Sequence, residues 1–229
     1  MLDNSKYGHR QRIISKFEKI IDSNSFGLMQ HYELIEILLF FVHKRKDTKT
    51  LAKELVNKFR SLNRLFSANE IELTSINGVG RQTFILFKII HALISRLYLE
   101  SISDERQLSS LKSVVTYCKF CMSHLRSEQL RMLCLNKRNF LISDLIICDG
   151  GIDSVKIDIR KLVQTALSLH SSAIILAHNH PSGSVYPSDA DIELTIKIRK
   201  ITDVLDIRLH DHIIVTNNAY FSMREMNII

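Results

Sequence analysis

Apolar positions recur at helical spacing through most of the first hundred residues; beyond them the pattern shifts to short β-branched runs and alternation. HYELIEILLFFVHKRKD (31–47) sets apolar side chains at helical spacing and closes on the basic cluster Lys44–Lys46. Asp47 and Thr48 stand where caps for the next helix belong. Leu51, Ala52, Leu55 and Val56 then form one face of a helix reaching about Phe59. Two shorter helices follow, then a long one from about Arg81 to Tyr98. The polar stretch Glu100–Gln107 (ESISDERQ) reads as a linker.

Past it the spacing predicts one more amphipathic helix over 112–125, then strands at LRMLCLN (130–136) and FLISDLIIC (140–148). These form a hairpin around Lys137–Asn139. Asp149-Gly150-Gly151 marks a turn, and 158–170 has helical periodicity. SAIILAHNH (172–180) is a β-branched strand, 188–205 a helix, and HDHIIVTN (210–217) a further strand. The pattern predicts two domains: an all-α one over 1–99 and an α/β (α+β) one over 102–229, built on a mixed sheet.

Composition narrows the class. The chain has 229 residues, 45% hydrophobic, enough to bury a core in one large or two small domains. No stretch approaches the roughly 18 consecutive apolar residues of a membrane span. The polar start MLDNSKYGHRQRI lacks the apolar segment of a secretory signal. Four cysteines do not make a disulfide framework at this length, so the reading is of a cytoplasmic, reduced protein without a membrane partner. Net charge is +7 and unevenly placed: residues 1–100 carry 16 Lys+Arg against 10 Asp+Glu, and 101–229 carry 15 against 14. A basic half suits a polyanion.

The chain's two prolines, Pro181 and Pro187, both fall in the loop after His180 and stiffen it. His178 and His180, two apart at a strand end, project to the same side. Ser188 is a natural N-cap, which sets Asp191 in the first helical turn, aimed back at the loop. Two imidazole nitrogens and one carboxylate oxygen leave a fourth position free, the arrangement of catalytic zinc; one Zn2+ per chain is expected. HxH alone and Ser-x-x-Asp alone are common; their combination with both prolines is not. Iron or manganese also suits such ligands.

HxHP-x6-SxxD resembles the signature of the JAMM (MPN+) metalloproteases. The longer string AHNHPSG…PSxxD, with Arg160 before it and LHDHIIV (209–215) after it, resembles the bacterial RadC family over nearly the whole chain. The resemblance implies a general base on an earlier segment and selects Glu128, at the start of SEQLRMLCLN. It implies a hydrolase of peptide or isopeptide bonds: Glu128 takes a proton from water, and Ser188 donates to the oxyanion. Asp211 and His212 read as residues behind the ligands, orienting an imidazole, or as a polar strand start. Arg160 reads as a clamp for an acidic group or one half of an ion pair.

The letters HNH (178–180) do not make a nuclease motif, whose histidines are spread over a ββα unit. Cys118-x-x-Cys121 lacks a second CxxC and reads as buried thiols. LTSINGVGR (73–81) before an apolar helix looks like a helix-hairpin-helix element. Gly78 and Gly80 allow a tight turn and close approach to a phosphate, and Arg81 adds charge there. Asn77 stands where that element usually has proline. Sequence-independent DNA contact through the first half is the expectation. The alternative to a hydrolase is therefore a DNA-binding accessory protein of repair or recombination, using its MPN domain as a platform.

Overall fold

In the computed structural model, which describes residues 8–44, 47–103, 111–150 and 157–229, the helical periodicity becomes a run of helices. They are α1 (His9–Ser23), α2 (His31–Val42), α3 (Lys49–Phe59), α4 (Leu62–Ser67), α5 (Glu70–Thr74) and α6 (Arg81–Ser103). The chain divides into two compact units, Met1–Ala92 and Leu93–Ile229. In the first, Ile35, Leu39, Ala52, Leu55, Leu65, Leu73 and Phe87 make a common core, and Phe66 meets Phe87 edge-on at 5.4 Å. Helix α1 is pinned to α2 by Lys16 Nζ donating to Glu33 Oε1 (2.7 Å) and by His9 Nε2 against Glu36 Oε1 (2.8 Å).

Several boundaries differ from the sequence reading. Of the cluster Lys44–Lys46, residues 45–46 lie outside the described residues. Thr48 is the N-cap position of α3 but makes no side-chain cap bond; Asp47 Oδ1 accepts from Lys49 N at 2.9 Å. The stretch expected as a linker begins as the end of α6, and its residues 104–107 lie outside the described ones. By length and composition Arg81–Glu100 of α6 is apolar enough to cross a membrane. A search for unbroken apolar runs passes over it because Lys88, His91 and Arg96 interrupt the run; Phe87 of this helix is fully buried in the helical core.

The second unit holds α7 (Leu111–Met122), β1 (Gln129–Leu135), β2 (Leu141–Asp149), α8 (Ile159–Ser168), β3 (Ala173–Asn179), α9 (Asp189–Val204), β4 (Arg208–Val215) and β5 (Tyr220–Ser222). The sheet order is β2-β1-β3-β4-β5. Only the β3–β4 pair is parallel among the described strands, so the sheet is mixed as expected. The β1–β2 hairpin turns at Asn139, in the left-handed region at φ 61°, with Asn136 Oδ1 accepting from Arg138 N and Phe140 N. Of the turn 149–151, Gly151 lies outside the described residues. The short β5 had no counterpart in the sequence pattern, because three residues are too few to show alternation.

Alternation along β1 and β3 sorts side chains between two cores. Leu133, Leu135, Ile175 and Ala177 pack with Val114, Cys118 and Met122 of α7. Leu130, Met132, Ile174 and Leu176 pack with Leu162 and Ala166 of α8 and Ile198 of α9. The parallel pairing of β3 with β4 is interrupted by one register shift: Ile174 faces Leu209, whereas Ile175 faces Asp211 and Leu176 faces His212. His210 is the extra residue of that bulge.

Candidate metal centre

Every residue of β3 is buried, and the strand delivers His178 to the α9 side of the sheet. The chain then leaves the ladder at His180, whose N–H donates to Val215 O at 3.1 Å. The loop returns through Gly183, at φ 88°, to Ser188. Ser188 caps α9 reciprocally: its Oγ accepts from Asp191 N (3.2 Å), and Asp191 Oδ2 accepts from Ser188 N (2.8 Å). Strand end and helix start therefore face each other. His178 Nε2 lies 3.4 Å from Asp191 Oδ1, and His180 Nε2 lies 3.6 Å from Asp191 Oδ2. One ligand atom from each of the three residues falls within 4.8 Å of the others.

Hydrogen placement follows from the partners. The Asp191 carbonyl can only accept, so the Thr195 hydroxyl donates to it (2.5 Å). That leaves Thr195 Oγ1 to accept from Nδ1–H of His212 (2.5 Å). His212 is fully buried, and burial, then the charge of His178, holds its pKa well below the usual value, so it is neutral. Its Nε2 is bare and accepts from Nδ1–H of His178 (2.8 Å). On the other ligand, Nδ1–H of His180 donates to Ser184 O (2.8 Å). His178 and His180 thus both turn Nε2 inward, 2.9 Å apart, beside a buried carboxylate, and atoms so placed need a proton or a cation among them.

The electrostatics agree. Burial alone would raise the Asp191 carboxyl, but hydrogen bonds with His178, His180 and Ser188 hold it far below the usual carboxylate range. The hydrogen bond to Asp191 outweighs burial at His180 and raises its pKa, with Ser184 O, Asp191 and Glu128 adding to the effect. The donor set of two imidazoles and one carboxylate suits a divalent ion such as zinc.

Glu128 arrives by register. Leu130 faces His178 as the last pair of the antiparallel β1–β3 ladder, and half-buried Glu128 lies two residues before it. The charge of Glu128 is felt at His180. Ser188 directs its hydroxyl to Asp191 Oδ2 at 2.7 Å.

A family model, the RadC-like JAB domain, matches residues 108–228, more than half of the chain. The chain belongs to this family. Within this RadC-like JAB domain His178, His180, Asp191, Glu128, Ser188 and His212 come together, and two other sequence candidates do not. Asp211 points to the opposite face, where its Oδ2 accepts from Ser222 Oγ (2.5 Å) and its Oδ1 from Arg224 N (3.1 Å). It fastens the C-terminal turn, with its pKa raised by burial. Arg160 is exposed in the first turn of α8, and no ion pair ties it to the cluster among the described residues.

Thr195 and Asn179 were missed by the sequence reading. Thr195 had a signal: it lies four residues after Asp191, one helical turn along the same face. Asn179 had none, being an inward side chain between two better candidates. The cysteines form no disulfide; burial pushes the Cys121 thiol up to about 11 and Cys118 higher still, which suits packing rather than ligation.

In the first unit, Gly78, Gly80 and Arg81 form the turn from α5 into α6. Gly78 takes φ 92°, Val79 N donates back to Ile76 O at 3.0 Å, and exposed Arg81 lies 3.7 Å from Glu70.

Proposed function

We propose that this protein is a zinc-dependent hydrolase of the JAMM type, acting on peptide or isopeptide bonds in the cytoplasm. The observation that carries the reading is the pair of inward-facing Nε2 atoms 2.9 Å apart, next to Asp191, with Glu128 close enough for its charge to be felt at His180. A zinc ion held by His178, His180 and Asp191 would lower the pKa of water toward about 7 and polarise a carbonyl. Glu128 accepts the proton of the attacking water and passes it to the leaving amine. Ser188 keeps Asp191 oriented, and on turning its hydroxyl from Oδ2 it donates to the developing oxyanion. Four cysteines that form no disulfide fit a reducing compartment.

The test is elemental analysis of purified protein beside a His178→Ala, His180→Ala variant, followed by peptide and isopeptide libraries. About one zinc per chain in the wild type, little in the variant, and turnover lost in Glu128→Gln with zinc retained would support the reading. No metal in the wild type, and none taken up on addition, would end it.

The α5–α6 turn favours a second activity that is compatible with the first. Gly78 in the left-handed region and exposed Gly80 and Arg81 open a long helix, and a helix N-terminus is a place where a phosphate can be met. We read this as a sequence-independent DNA contact, which would suit an accessory role in repair or recombination. Duplex binding followed by fluorescence anisotropy should weaken in Arg81→Glu with zinc content unchanged; equal affinity would remove the idea.

A further inference from the structure

Asn179 lies between the two histidine ligands and is 1% exposed, yet its side chain turns away from them to the other face of β3. There its Oδ1 accepts from Gln129 N at 2.8 Å, and its Nδ2 donates to Ser127 O at 3.0 Å. Those two groups belong to the peptide units immediately before and after Glu128. The Ser127 carbonyl is in the plane that sets φ of Glu128, and the Gln129 N–H is in the plane that sets ψ. One amide side chain therefore fixes both soft dihedrals of the candidate base. The carbonyl of Glu128 is held as well, accepting from Gly150 N at 2.8 Å.

The need for this clamp follows from the strand end. Backbone pairing of β1 with β3 stops at Leu130 and His178, and His180 turns its own N–H to Val215 of β4. The Asn179 side chain holds the Ser127–Gln129 segment against β3 beyond the last ladder pair. Base and ligands are then tied through one residue.

We propose that Asn179 is a positioning residue that holds Glu128 against the metal centre, an inference that rests on the hydrolase reading above. Aspartate at this position would keep the acceptor for Gln129 N and lose the amide donor to Ser127 O. Alanine would lose both.

The test uses the full chain loaded with cobalt(II) in place of zinc, and reads its visible absorption as a function of pH. Glu128→Gln should move the titration midpoint by about one pH unit, the size of a removed neighbouring charge. Asn179→Ala should move it in the same direction by at least half as much, Asn179→Asp by less, and Asn179→Ala should add nothing in the Glu128→Gln background. Should the alanine variant not fold, the aspartate variant decides by the same comparison. A wild-type midpoint in the Asn179 variants, or a shift that adds in full to that of Glu128→Gln, overturns the proposal while leaving the metal centre standing. No uptake of cobalt by the wild type overturns both.

Discussion

His212 stands directly behind His178, ring nitrogen to ring nitrogen at 2.8 Å, and both imidazoles are fully buried. A carboxylate or carbonyl commonly fills this place behind a ligand histidine. Here a buried imidazole does so, its Nδ1–H donating to Thr195 Oγ1 on the far side. The chain of bonds from His178 through His212 and Thr195 ends on the carbonyl of Asp191, itself a candidate ligand, so one ligand's backbone sets the tautomer of another.

Thr195→Val tests that chain, since it keeps the shape and deletes the hydroxyl. His212 then loses the acceptor for Nδ1–H, and His178 is no longer held in one tautomer. Zinc affinity should fall by about ten- to a hundred-fold, measured by competition with a chromophoric chelator, with the circular dichroism spectrum unchanged. Wild-type affinity in this variant would show that the relay does not govern the ligand.

The glycines of the α5–α6 turn should behave differently from each other. A Cβ on Gly78 would touch Leu51 at 3.5 Å, an ordinary contact, but φ 92° strains any L side chain. Gly78→Ala should therefore cost about 1–2 kcal/mol of stability. Gly80 has no positive φ and nothing within 4 Å of an added Cβ, so Gly80→Ala should stay within about 0.5 kcal/mol. Urea denaturation of both variants decides, and equal losses would contradict the assignment.

The ion pair between α1 and α2 gives a dependence on pH. Burial would raise the Glu33 carboxyl, but the Lys16 ammonium and the Gln30 N–H together hold it below 4.5. A carboxyl depressed in the folded state stabilises above its unfolded pKa, and that contribution disappears as pH falls through the folded value. Lys16 is partly exposed, so screening limits the effect to about 0.5–1 kcal/mol. Glu33→Gln should be less stable than wild type at pH 7, with the gap closing below pH 4.5. A gap that widens on acidification would mean that the Glu33 carboxyl is raised rather than depressed by folding.

On the α7 side of the sheet, Asp144 of β2 accepts from both Arg131 of β1 and Tyr117 of α7. Replacing Arg131 by methionine leaves a mostly buried carboxylate without its cation, which should cost about 3–5 kcal/mol. A thermal midpoint close to that of wild type would show that the Arg131–Asp144 pair does not carry this stability.

The elements were legible in the sequence where periodicity or punctuation is strong. The run SAIILAHNH, the prolines after it and Ser188 three residues before Asp191 were enough to bring three candidate ligands together. The choice of Glu128 as candidate base came from resemblance, since which residue comes near the histidines depends on the β1–β3 register, which local pattern does not specify. Asp211 and His212 are neighbours in sequence with similar chemistry on paper, and only the sheet separates them, one to each face. Asn179 was invisible for the same reason: its partners lie fifty residues away.

That separation of Asp211 from His212 traces to a single residue of slack. Were β4 to pair regularly from Leu209 onward, Asp211 rather than His212 would come level with Leu176, and an acidic oxygen would take the place behind His178. The bulge at His210 therefore acts as a reading frame for the sheet. Slipping it out would exchange the chemistry behind the ligand without changing a letter of the sequence. Excising His210 altogether would straighten the strand and keep His212 where it is.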